Sequence, residues 1–273
     1  MITYNPLVTI ITPILNRITY LGKCIQSVLS QSYPYIEHIF VDGGSTDGTL
    51  DILTSYSGRY PDRIRFISEP DKGSGDAWNK GLRMAKGEIF GFLGSDDISE
   101  PDAIMRVVEF FRLNPDAYFV FGACNYINER DEIIGKPQIK DFDLTEIINE
   151  GCYVPTPSSF YRREVIEKIG CYDAKGNDLD FLIRAGKVFQ IYRINEVFSN
   201  FRIHGGSATS GSSKEIRKMW LREDCLVSRR HGGRFFSGYC KRYYMYVIMV
   251  LLRTVLGAVY PFIRKNVKKL LLS

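Results

Sequence analysis

The sequence lacks several features that mark zinc, redox and secreted proteins. Its six cysteines include no Cys-x-x-Cys pair, so neither a zinc site nor a redox pair is indicated, and we expect reduced thiols in a cytoplasmic protein. The short apolar stretch near the N-terminus has no basic leader and continues into a strand pattern, so we expect no signal peptide. The composition shows no bias towards disorder, and 45% apolar residues are sufficient for a full core.

Acidic residues are absent after Asp224, where ten Lys and Arg residues follow. Subtracting these ten charges from the net charge of +5 leaves −5 for residues 1–224. The excess positive charge therefore belongs to the C-terminal end, and we expect residues 213–273 to form a basic, apolar, helical tail. Because this tail is also rich in Tyr, Val, Ile, Leu and Met, an anionic membrane surface is the expected partner and nucleic acid is not.

Residues 243–263 have about the length of a membrane span, but Arg253 lies at their midpoint. An arginine at the bilayer centre costs about 2.5 to 3.5 kcal/mol, which disfavours a simple span. Arginines also recur every 11 residues, close to three helical turns, so a continuous helix would align Arg242, Arg253 and Arg264 with Tyr246 and Tyr260 in one stripe. This pattern predicts a helix that lies on the cytoplasmic face of the cell membrane, peripherally attached. The alternative is an amphipathic helix packed on the preceding domain.

Strand and helix patterns alternate through the N-terminal half. Short apolar runs typical of strands occupy residues 7–12, 36–41, 64–67 and 89–93. Runs with helical spacing separate them, at residues 20–29, 49–56 and 77–85. This alternation favours right-handed βαβ crossovers and an α/β fold whose mostly parallel sheet is flanked by helices. Ligands of such sheets bind at the C-terminal ends of the strands.

Two adjacent carboxylates, Asp96 and Asp97, follow the fourth of these runs. Neighbouring carboxylates repel each other, and this repulsion is best offset by a hard divalent cation together with a phosphate-bearing ligand. The pair therefore favours metal-assisted chemistry on a phosphorylated substrate. The alternative is a helix N-cap or a solvated turn, where Asp is also common.

Polar loops also follow the other three runs. Residues 13–17 and 42–45 belong to the first two loops, and glycines in the second would let backbone N–H groups approach a ligand while Asp42 accepts hydrogen bonds from a base or ribose. An ordinary strand-to-helix turn is the alternative for this second loop. The third loop, 69–81, contains glycines, a lysine and two aspartates before a helix N-terminus that favours anions, so it could close over a nucleotide.

Five motifs in order resemble the family 2 glycosyltransferases, over roughly residues 6–210. They comprise residues 8–17, 26–33, 41–49, 71–73 with 79–81, and 92–97. The resemblance implies a GT-A fold in residues 1–212, in which about 1–115 bind the nucleotide sugar and 116–212 bind the acceptor.

The resemblance also implies a donor site for a UDP- or GDP-sugar. The residues assigned to it are Pro13, Asn16, Asp42, Ser45, Asp71, Lys72, Asp76, Ser95 and Asp96. Asp96 and Asp97 correspond to the end of the family's Asp-x-Asp element, which holds Mn²⁺ or Mg²⁺ against the diphosphate. Gly94 stands where the first aspartate of that element is frequent, and Gly43 replaces the second acid of the usual Asp-Asp-Gly-Ser turn.

A histidine and an aspartate farther along the chain complete the predicted site. His204 lies beside glycines in a loop after a strand pattern and could reach the metal or the diphosphate, the alternative being a surface histidine without a ligand. Asp178 opens a helical pattern that resembles the family's acceptor-site element, so it is the expected general base, although an N-cap is the alternative role. We expect Asp180 to pair with Arg184 at i,i+4 instead.

The sequence thus predicts an inverting, metal-dependent glycosyltransferase in surface polysaccharide or glycolipid assembly, with a glycan or a lipid-linked glycan as acceptor. A catalytically silent GT-A-like module that binds glycan or protein is the main alternative, supported by the missing acid at Gly94. A nucleotidyltransferase would need a Gly-rich loop with a basic residue after the first strand, and residues 13–16 do not form one.

Overall fold

A computed structural model describes residues 4–173, 177–207 and 214–256 of the chain. The chain divides into two compact units, one comprising residues 1–147 and 152–211 and the other comprising residues 148–151 and 212–273. The predicted split of the catalytic domain into a donor half and an acceptor half stays a prediction.

Strands and helices alternate in the first unit as the sequence predicts. The strands are β1 (Val8–Ile14), β2 (Ile36–Asp42), β3 (Ile64–Ser68), β4 (Ile89–Phe92), β5 (Ile98–Ser99), β6 (Phe119–Ile127), β7 (Ile133–Gly135), β8 (Ser159–Arg162) and β9 (Ile191–Arg202). The helices up to β9 are α1 (Ile18–Leu29), α2 (Thr49–Arg59), α3 (Ser74–Met84), α4 (Ala103–Leu113), α5 (Leu144–Asn149), α6 (Arg163–Ile169) and α7 (Asp178–Gly186), with a 3₁₀ turn at Thr156–Ser158.

One mixed sheet contains all of these strands. Its order is β3-β2-β1-β4-β8-β6-β9-β5, and β7 pairs with β6. The pairs among β1, β2, β3 and β4 are parallel, as is the pair between β6 and β9, whereas β8 runs antiparallel to β4 and to β6. The mostly parallel, helix-flanked sheet expected from the sequence is confirmed.

The apolar stripes of the helices explain why this sheet is buried. Leu21 and Ile25 of α1 pack with Phe40 of β2 in one core cluster. A larger cluster joins Cys24 and Val28 of the same helix to residues of β1, β4 and α4. Because helices shield it, the inner strands β1 and β2 are buried at almost every position.

The second unit contains a pair of helices, α8 (Lys214–Arg230) and α9 (Gly238–Leu256). The expectation that all six thiols are reduced is wrong here, because Cys225 of α8 and Cys240 of α9 form a disulfide. The short turn between the helices brings these buried cysteines together, a consequence of tertiary structure that their spacing of 15 residues does not reveal. Cys24, Cys124, Cys152 and Cys171 are free thiols.

Within the described parts of the chain, the helices are all too short or too polar to cross a membrane. The predicted basic stripe is only partly described. Helix α9 contains Arg242 and Tyr246, whereas Tyr260 and Arg264 lie outside the described residues.

Candidate active site at one edge of the sheet

Sheet topology gathers the polar loops at one edge. Strands β1, β2, β3, β4, β6 and β9 run in one direction, so the loops that follow them all lie at their common C-terminal edge. These loops contain the candidate donor and metal residues. The antiparallel strand β8 begins at this same edge, since Phe160 pairs with Gly91 near the end of β4.

Hydrogen bonds join the first two loops. The backbone N–H of Asn16 donates to Ser45 Oγ at 2.7 Å, and the N–H of Thr46 donates to Asn16 Oδ1 at 2.8 Å. Asn16 is exposed and has a φ of 52°, in the left-handed region that Asn tolerates better than most residues. Pro13 lies in β1 opposite Val41 and is partly exposed. The structure therefore brings Asn16 and Ser45 together at a surface accessible to a ligand.

The Asp42 carboxylate is buried and accepts hydrogen bonds from its own surroundings. Its Oδ2 accepts from the N–H groups of Gly44 and Ser45, at 2.9 and 3.0 Å, and from Ser68 Oγ at 2.7 Å. Its Oδ1 accepts from Ser45 Oγ. Burial raises the pKa of this carboxyl, but the hydrogen bonds outweigh burial and hold its pKa below the usual value. Asp42 thus braces the turn between β2 and α2, and its predicted contact with the nucleotide stays a prediction.

The third loop lies over the second. A Cβ added at Gly43 would lie 2.7 Å from Oδ2 of Asp71, so the Asp71 carboxylate occupies the space that a larger residue at position 43 would need. The other oxygen of Asp71 accepts from the N–H of Gly73 at 2.9 Å. Asp76 accepts from the N–H of Lys72 at 3.2 Å, and the Lys72 side chain is exposed. The third loop therefore places both a positively charged side chain, Lys72, and carboxylates at this edge of the sheet.

Asp96 and His204 contact each other at this edge. Nε2 of His204 lies 2.9 Å from Oδ2 of Asp96, and the two side chains are 9% and 16% exposed. The ring of Tyr20 lies 5.0 Å from the His204 ring, centroid to centroid. Ser95 is buried next to them in the chain. His204 is therefore not a surface histidine without a partner, and its contact with Asp96 joins two of the three predicted metal ligands.

Asp97 points into the interior instead. It is 2% exposed, and its Oδ1 accepts a hydrogen bond from the N–H of Arg202 at 2.9 Å. Burial and the neighbouring Asp96 raise the pKa of Asp97 to about 8. A Cβ added at Gly94 would lie 2.5 Å from Oδ2 of Asp97, so glycine at position 94 makes room for this carboxyl. The role of Asp97 as a metal ligand stays a prediction.

The chemistry of these donors suits a cation that shares its ligands with a substrate. Among the residues that the structure describes, no group of three His, Cys, Asp or Glu side chains is arranged to hold a metal ion by itself. Mg²⁺ is commonly bound through only one or two carboxylates together with substrate phosphates, and carboxylate oxygens suit Mn²⁺ as well. Asp96 and His204 supply one oxygen and one nitrogen at adjacent positions, which fits a cation completed by a diphosphate.

Asp178 is the first residue of α7, and Asn177 is the N-cap. The side chain of Asn177 accepts from the N–H of Asp180, so the capping role considered for Asp178 belongs to its neighbour. Oδ2 of Asp178 accepts a hydrogen bond from Thr156 Oγ1 at 2.6 Å. The predicted pair between Asp180 and Arg184 is confirmed, with Arg184 Nε 2.8 Å from Asp180 Oδ2.

The hydroxyl that holds Asp178 belongs to the 3₁₀ turn immediately before β8. In the same turn, Ser158 Oγ lies 2.6 Å from Ser199 Oγ, and Ser199 pairs with Ser99 in the strand that follows Asp97. Asp178 is thus connected to the edge that carries the paired carboxylates.

A small aromatic cavity adjoins Asp178, lined in part by Phe92, Tyr172 and Phe181. The rings of Tyr172 and Phe181 are stacked with centroids 4.1 Å apart. A larger cavity of about 460 Å³ is lined by residues 141, 142, 144, 186 and 189–193, none of which is a predicted site residue. Of these two cavities, the one beside Asp178 adjoins the candidate site.

Two residues of the site were missed by the sequence analysis. Thr156 lies in a Pro-Thr-Pro-Ser segment that suggests a turn, but its contact with Asp178 spans 22 residues and has no local signal. Arg202 lies two residues before His204 and is fully buried. Only the unusual burial of an arginine marks it, and burial is not visible in the sequence.

The comparisons with known proteins agree with this architecture. Residues 9–170 match the family described as Glycosyl transferase family 2. An uncharacterised glycosyltransferase of Nostoc sp. is 34% identical over 223 residues, which cover 74% of this chain and 68% of that protein. The putative teichuronic acid biosynthesis glycosyltransferase TuaG of Bacillus subtilis is 32% identical over 229 residues, covering 81% of this chain and 88% of TuaG.

A solved structure supports the fold. The mannosyltransferase PcManGT from Pyrobaculum calidifontis, in complex with GDP-Man and Mn²⁺, superposes with a TM-score of 0.67 at 17% identity, covering 99% of this chain and 82% of that chain. At this identity the similarity concerns the fold alone. Together with the family match, it shows that the chain belongs to glycosyl transferase family 2 and is a glycosyltransferase with the GT-A fold.

Proposed function

We propose that this protein transfers a sugar from a nucleotide-diphospho-sugar to a hydroxyl of a glycan or lipid-linked glycan, with inversion at the anomeric carbon. The observation that carries the proposal is the contact between Asp96 and His204 at the sheet edge to which Asp178 is also connected. TuaG and PcManGT, by their names, act in teichuronic acid biosynthesis and mannosyl transfer, which supports a sugar nucleotide as donor.

The donor binds across the first three loops in this proposal. The exposed amide of Asn16, held at the junction of two loops by Ser45, offers hydrogen bonds, and the Lys72 ammonium offers a positive charge to the diphosphate. Asp96 and His204 would hold Mn²⁺ or Mg²⁺, and Asp97 would supply a further ligand. When bound, the cation offsets charge on the departing diphosphate, an effect worth several kcal/mol in order of magnitude.

Asp178 acts as general base. A sugar hydroxyl is a poor nucleophile until its proton is removed, and a carboxylate within hydrogen-bond reach can accept that proton as the new bond forms. The oxygen of the acceptor then bonds to the anomeric carbon while the bond to the diphosphate breaks, which inverts the configuration. The hydroxyl of Thr156, 2.6 Å from Oδ2, orients the carboxylate for this step.

The catalytically silent alternative loses its main support. It relied on the missing acid at Gly94, but a side chain at that position would collide with the Asp97 carboxyl. Local packing is therefore a sufficient reason for glycine there, and its presence is weak evidence for a lost active site.

The decisive experiment is a panel of UDP- and GDP-sugars incubated with Mn²⁺ or Mg²⁺, with release of the nucleoside diphosphate as the signal. We expect hydrolysis or transfer by the wild type, and loss of that activity in Asp178→Asn with binding of the nucleotide retained. The anomeric configuration of the product, determined by NMR, tests inversion. Donor binding without turnover under every condition would instead favour the silent module.

We further propose that the second unit binds an anionic membrane surface. Phe235 and Phe236, in the turn between α8 and α9, are 56% and 65% exposed and pack edge to face. Exposed Arg229, Arg230 and Lys241 flank this pair. Exposed aromatic rings beside cations suit the interface of a membrane that contains anionic lipids. This contact would hold the enzyme near lipid-linked acceptors at the cytoplasmic face.

Vesicle sedimentation tests this attachment on the full chain. We expect binding to vesicles with phosphatidylglycerol and none to phosphatidylcholine alone. Phe235→Ser combined with Phe236→Ser should release the protein, whereas Leu113→Ser, an exposed apolar residue of α4, serves as the control. Equal binding of the double variant and the wild type would contradict the assignment of this turn.

A further inference from the structure

Arg202 is the largest side chain that is completely buried in the described residues. A guanidinium removed from water is costly unless its charge and its donors find partners. The partners of Arg202 lie on three separate segments, in the loop between β4 and β5, in the β6–β7 turn and on α1. An arginine with so many connections at the end of β9 holds together elements that are far apart in sequence.

The first set of contacts fastens Arg202 to the segment that carries the paired carboxylates. Nε of Arg202 donates to the backbone carbonyl of Asp96 at 2.8 Å, and the N–H of Arg202 donates to Oδ1 of Asp97 at 2.9 Å. Side chain and main chain of one residue thus hold two consecutive residues of the other segment. His204, which contacts the Asp96 carboxylate, follows two positions later.

The second set anchors the guanidinium from the opposite side. Nη1 donates to the carbonyl of Asn128 at 2.7 Å, and Nη2 lies 2.6 Å from Oδ1 of Asp131. Asp131 has a φ of 68°, in the left-handed region, so the turn presents this carboxylate in a backbone conformation that few residue types adopt readily. Lys23 of α1 contacts the other oxygen of Asp131 at 2.5 Å.

Tyr20 completes the arrangement. The guanidinium carbon of Arg202 lies 4.5 Å from the centroid of the Tyr20 ring, and the same ring lies 5.0 Å from that of His204. One aromatic residue of α1 therefore contacts both Arg202 and the candidate histidine ligand. Cation–π contact also offsets part of the cost of burying the charge.

We propose that Arg202 is a positioning residue for the cation site, together with Asp131 as its anchor. This inference rests on the proposed function, in which Asp96 and His204 hold the cation. Arg202 fixes the main chain at Asp96 and the approach to His204, so the two donor atoms are held together before a cation arrives. Outer partners of metal ligands typically change metal affinity by about 10- to 100-fold when they are replaced.

Mn²⁺ binding, measured by electron paramagnetic resonance of the free ion with UDP or GDP present, tests this inference without turnover. We expect Arg202→Lys to weaken Mn²⁺ binding by about 10-fold or more, because an ammonium cannot reach the Asp96 carbonyl, Asn128 and Asp131 together. Asp131→Asn should weaken binding in the same direction, since Asn tolerates the left-handed backbone and removes only the charge. Lys168→Gln, at an exposed lysine of α6, is the control and should bind Mn²⁺ as the wild type does.

A purely structural role would give a different result. Arg202→Lys would then lower the melting temperature while its folded fraction bound Mn²⁺ normally, and Asp131→Asn would do the same. Unchanged Mn²⁺ affinity in a folded Asp131→Asn protein overturns the inference even if Arg202→Lys does not fold. Failure of the proposed function is distinct, because the wild type would then bind no Mn²⁺ under these conditions, or Asp96→Asn would bind it equally well.

In activity assays the same variants should require more Mn²⁺ for half-maximal rate and recover most of kcat at saturating Mn²⁺. A loss of kcat that added Mn²⁺ does not restore would contradict a positioning role towards the cation.

Discussion

The loop after β2 and the loop after β4 are similar in sequence, but their aspartates lie in different surroundings. Each follows a buried parallel strand at the same edge, and each carries aspartate close to glycine and serine. Asp42 receives hydrogen bonds from two backbone N–H groups and two hydroxyls, and these lower its pKa. Asp97 lies beside a second carboxylate in the interior, and its pKa is raised to about 8.

This difference separates an aspartate whose charge is offset by the protein's own hydrogen-bond donors from one whose charge is not. A carboxylate surrounded by hydrogen-bond donors is stable as an anion without a cation. Two adjacent carboxylates with few donors are at high electrostatic cost as anions, so a cation would stabilise them. An acid at the end of a strand is therefore a weak indication of a metal site by itself, and its hydrogen-bond environment decides between the two roles.

The largest expected effect follows from replacing Asp96. Asp96→Asn removes the carboxylate that contacts His204, and we expect kcat with Mn²⁺ to fall on the order of 10³-fold, about 4 kcal/mol, with little change in melting temperature. The nucleoside diphosphate release assay and a thermal melt measure the two quantities. Asp102→Asn, an exposed acid at the start of α4, is the control and should be fully active. An Asp96→Asn protein that is active but unstable would erase the distinction between the two loops.

Replacing Asp97 tests the comparison through pH. Because the folded pKa is about 8 and the unfolded pKa is near 3.8, folded Asp97 keeps a proton that the unfolded chain has lost across this range. The metal-free wild type should therefore lose stability as pH rises from 4 to 8, by up to about 1.4 kcal/mol per pH unit from this group.

Asp97→Asn should remove this pH dependence. The difference in free energy of unfolding between the variant and the wild type, measured in urea, should therefore shift in favour of the variant by roughly 3 kcal/mol from pH 5.5 to pH 7.5. Chelator is present throughout, so that no cation binds. Parallel stability curves for the two proteins would show that Asp97 is ionised in the folded protein at neutral pH.

Asp42→Asn should affect stability and not metal binding. An amide cannot accept all the hydrogen bonds that the carboxylate accepts, and its NH₂ group would face donors, so we expect a loss of roughly 2 to 3 kcal/mol in the free energy of unfolding. Urea denaturation measures this loss. Asp62→Asn, an exposed acid in the turn before β3, should change it by less than about 0.5 kcal/mol. If Asp42→Asn is as stable as the wild type, the structural role assigned to Asp42 is wrong.

Periodicity and turn chemistry were sufficient to predict much of the fold. The apolar runs of β1 to β4 and the helical spacing of α1 to α3 are local signals, and the structure places these elements within a few residues of the predicted bounds. Alternation then implied a parallel sheet and a shared edge, which is why loops far apart in the sequence could be assigned to one site.

The contacts that distinguish the residues of the site depend on tertiary structure. The direction of the Asp97 carboxyl is set by the N–H of Arg202, 105 residues away, and Asp178 is oriented by Thr156 across 22 residues. The disulfide between α8 and α9 likewise results from a helical pair that only the folded chain forms. Neither local propensity nor hydrophobic pattern contains this information.

The two glycines that depart from the family's acidic pattern give the smallest expected effects. A Cβ at Gly94 would lie 2.5 Å from Asp97 Oδ2, and a Cβ at Gly43 would lie 2.7 Å from Asp71 Oδ2. Asp97 is buried and cannot move easily, whereas Asp71 is partly exposed and can rotate towards solvent. We therefore expect Gly94→Ala to cost roughly 1 to 2 kcal/mol in the free energy of unfolding and Gly43→Ala to cost less.

Gly22→Ala, in the middle of α1 with nothing within 4 Å of the added Cβ, provides the matched control, and it should stabilise the protein by up to about 1 kcal/mol because alanine favours the helix. Urea denaturation of the three variants compares them directly. If Gly43→Ala lowers the free energy of unfolding more than Gly94→Ala does, the loop after β2 is the more rigid of the two. The contact with the Asp97 carboxyl would then not explain the glycine at position 94. If the order is as expected, the inward direction of the Asp97 carboxyl explains why glycine and not an acid stands at position 94.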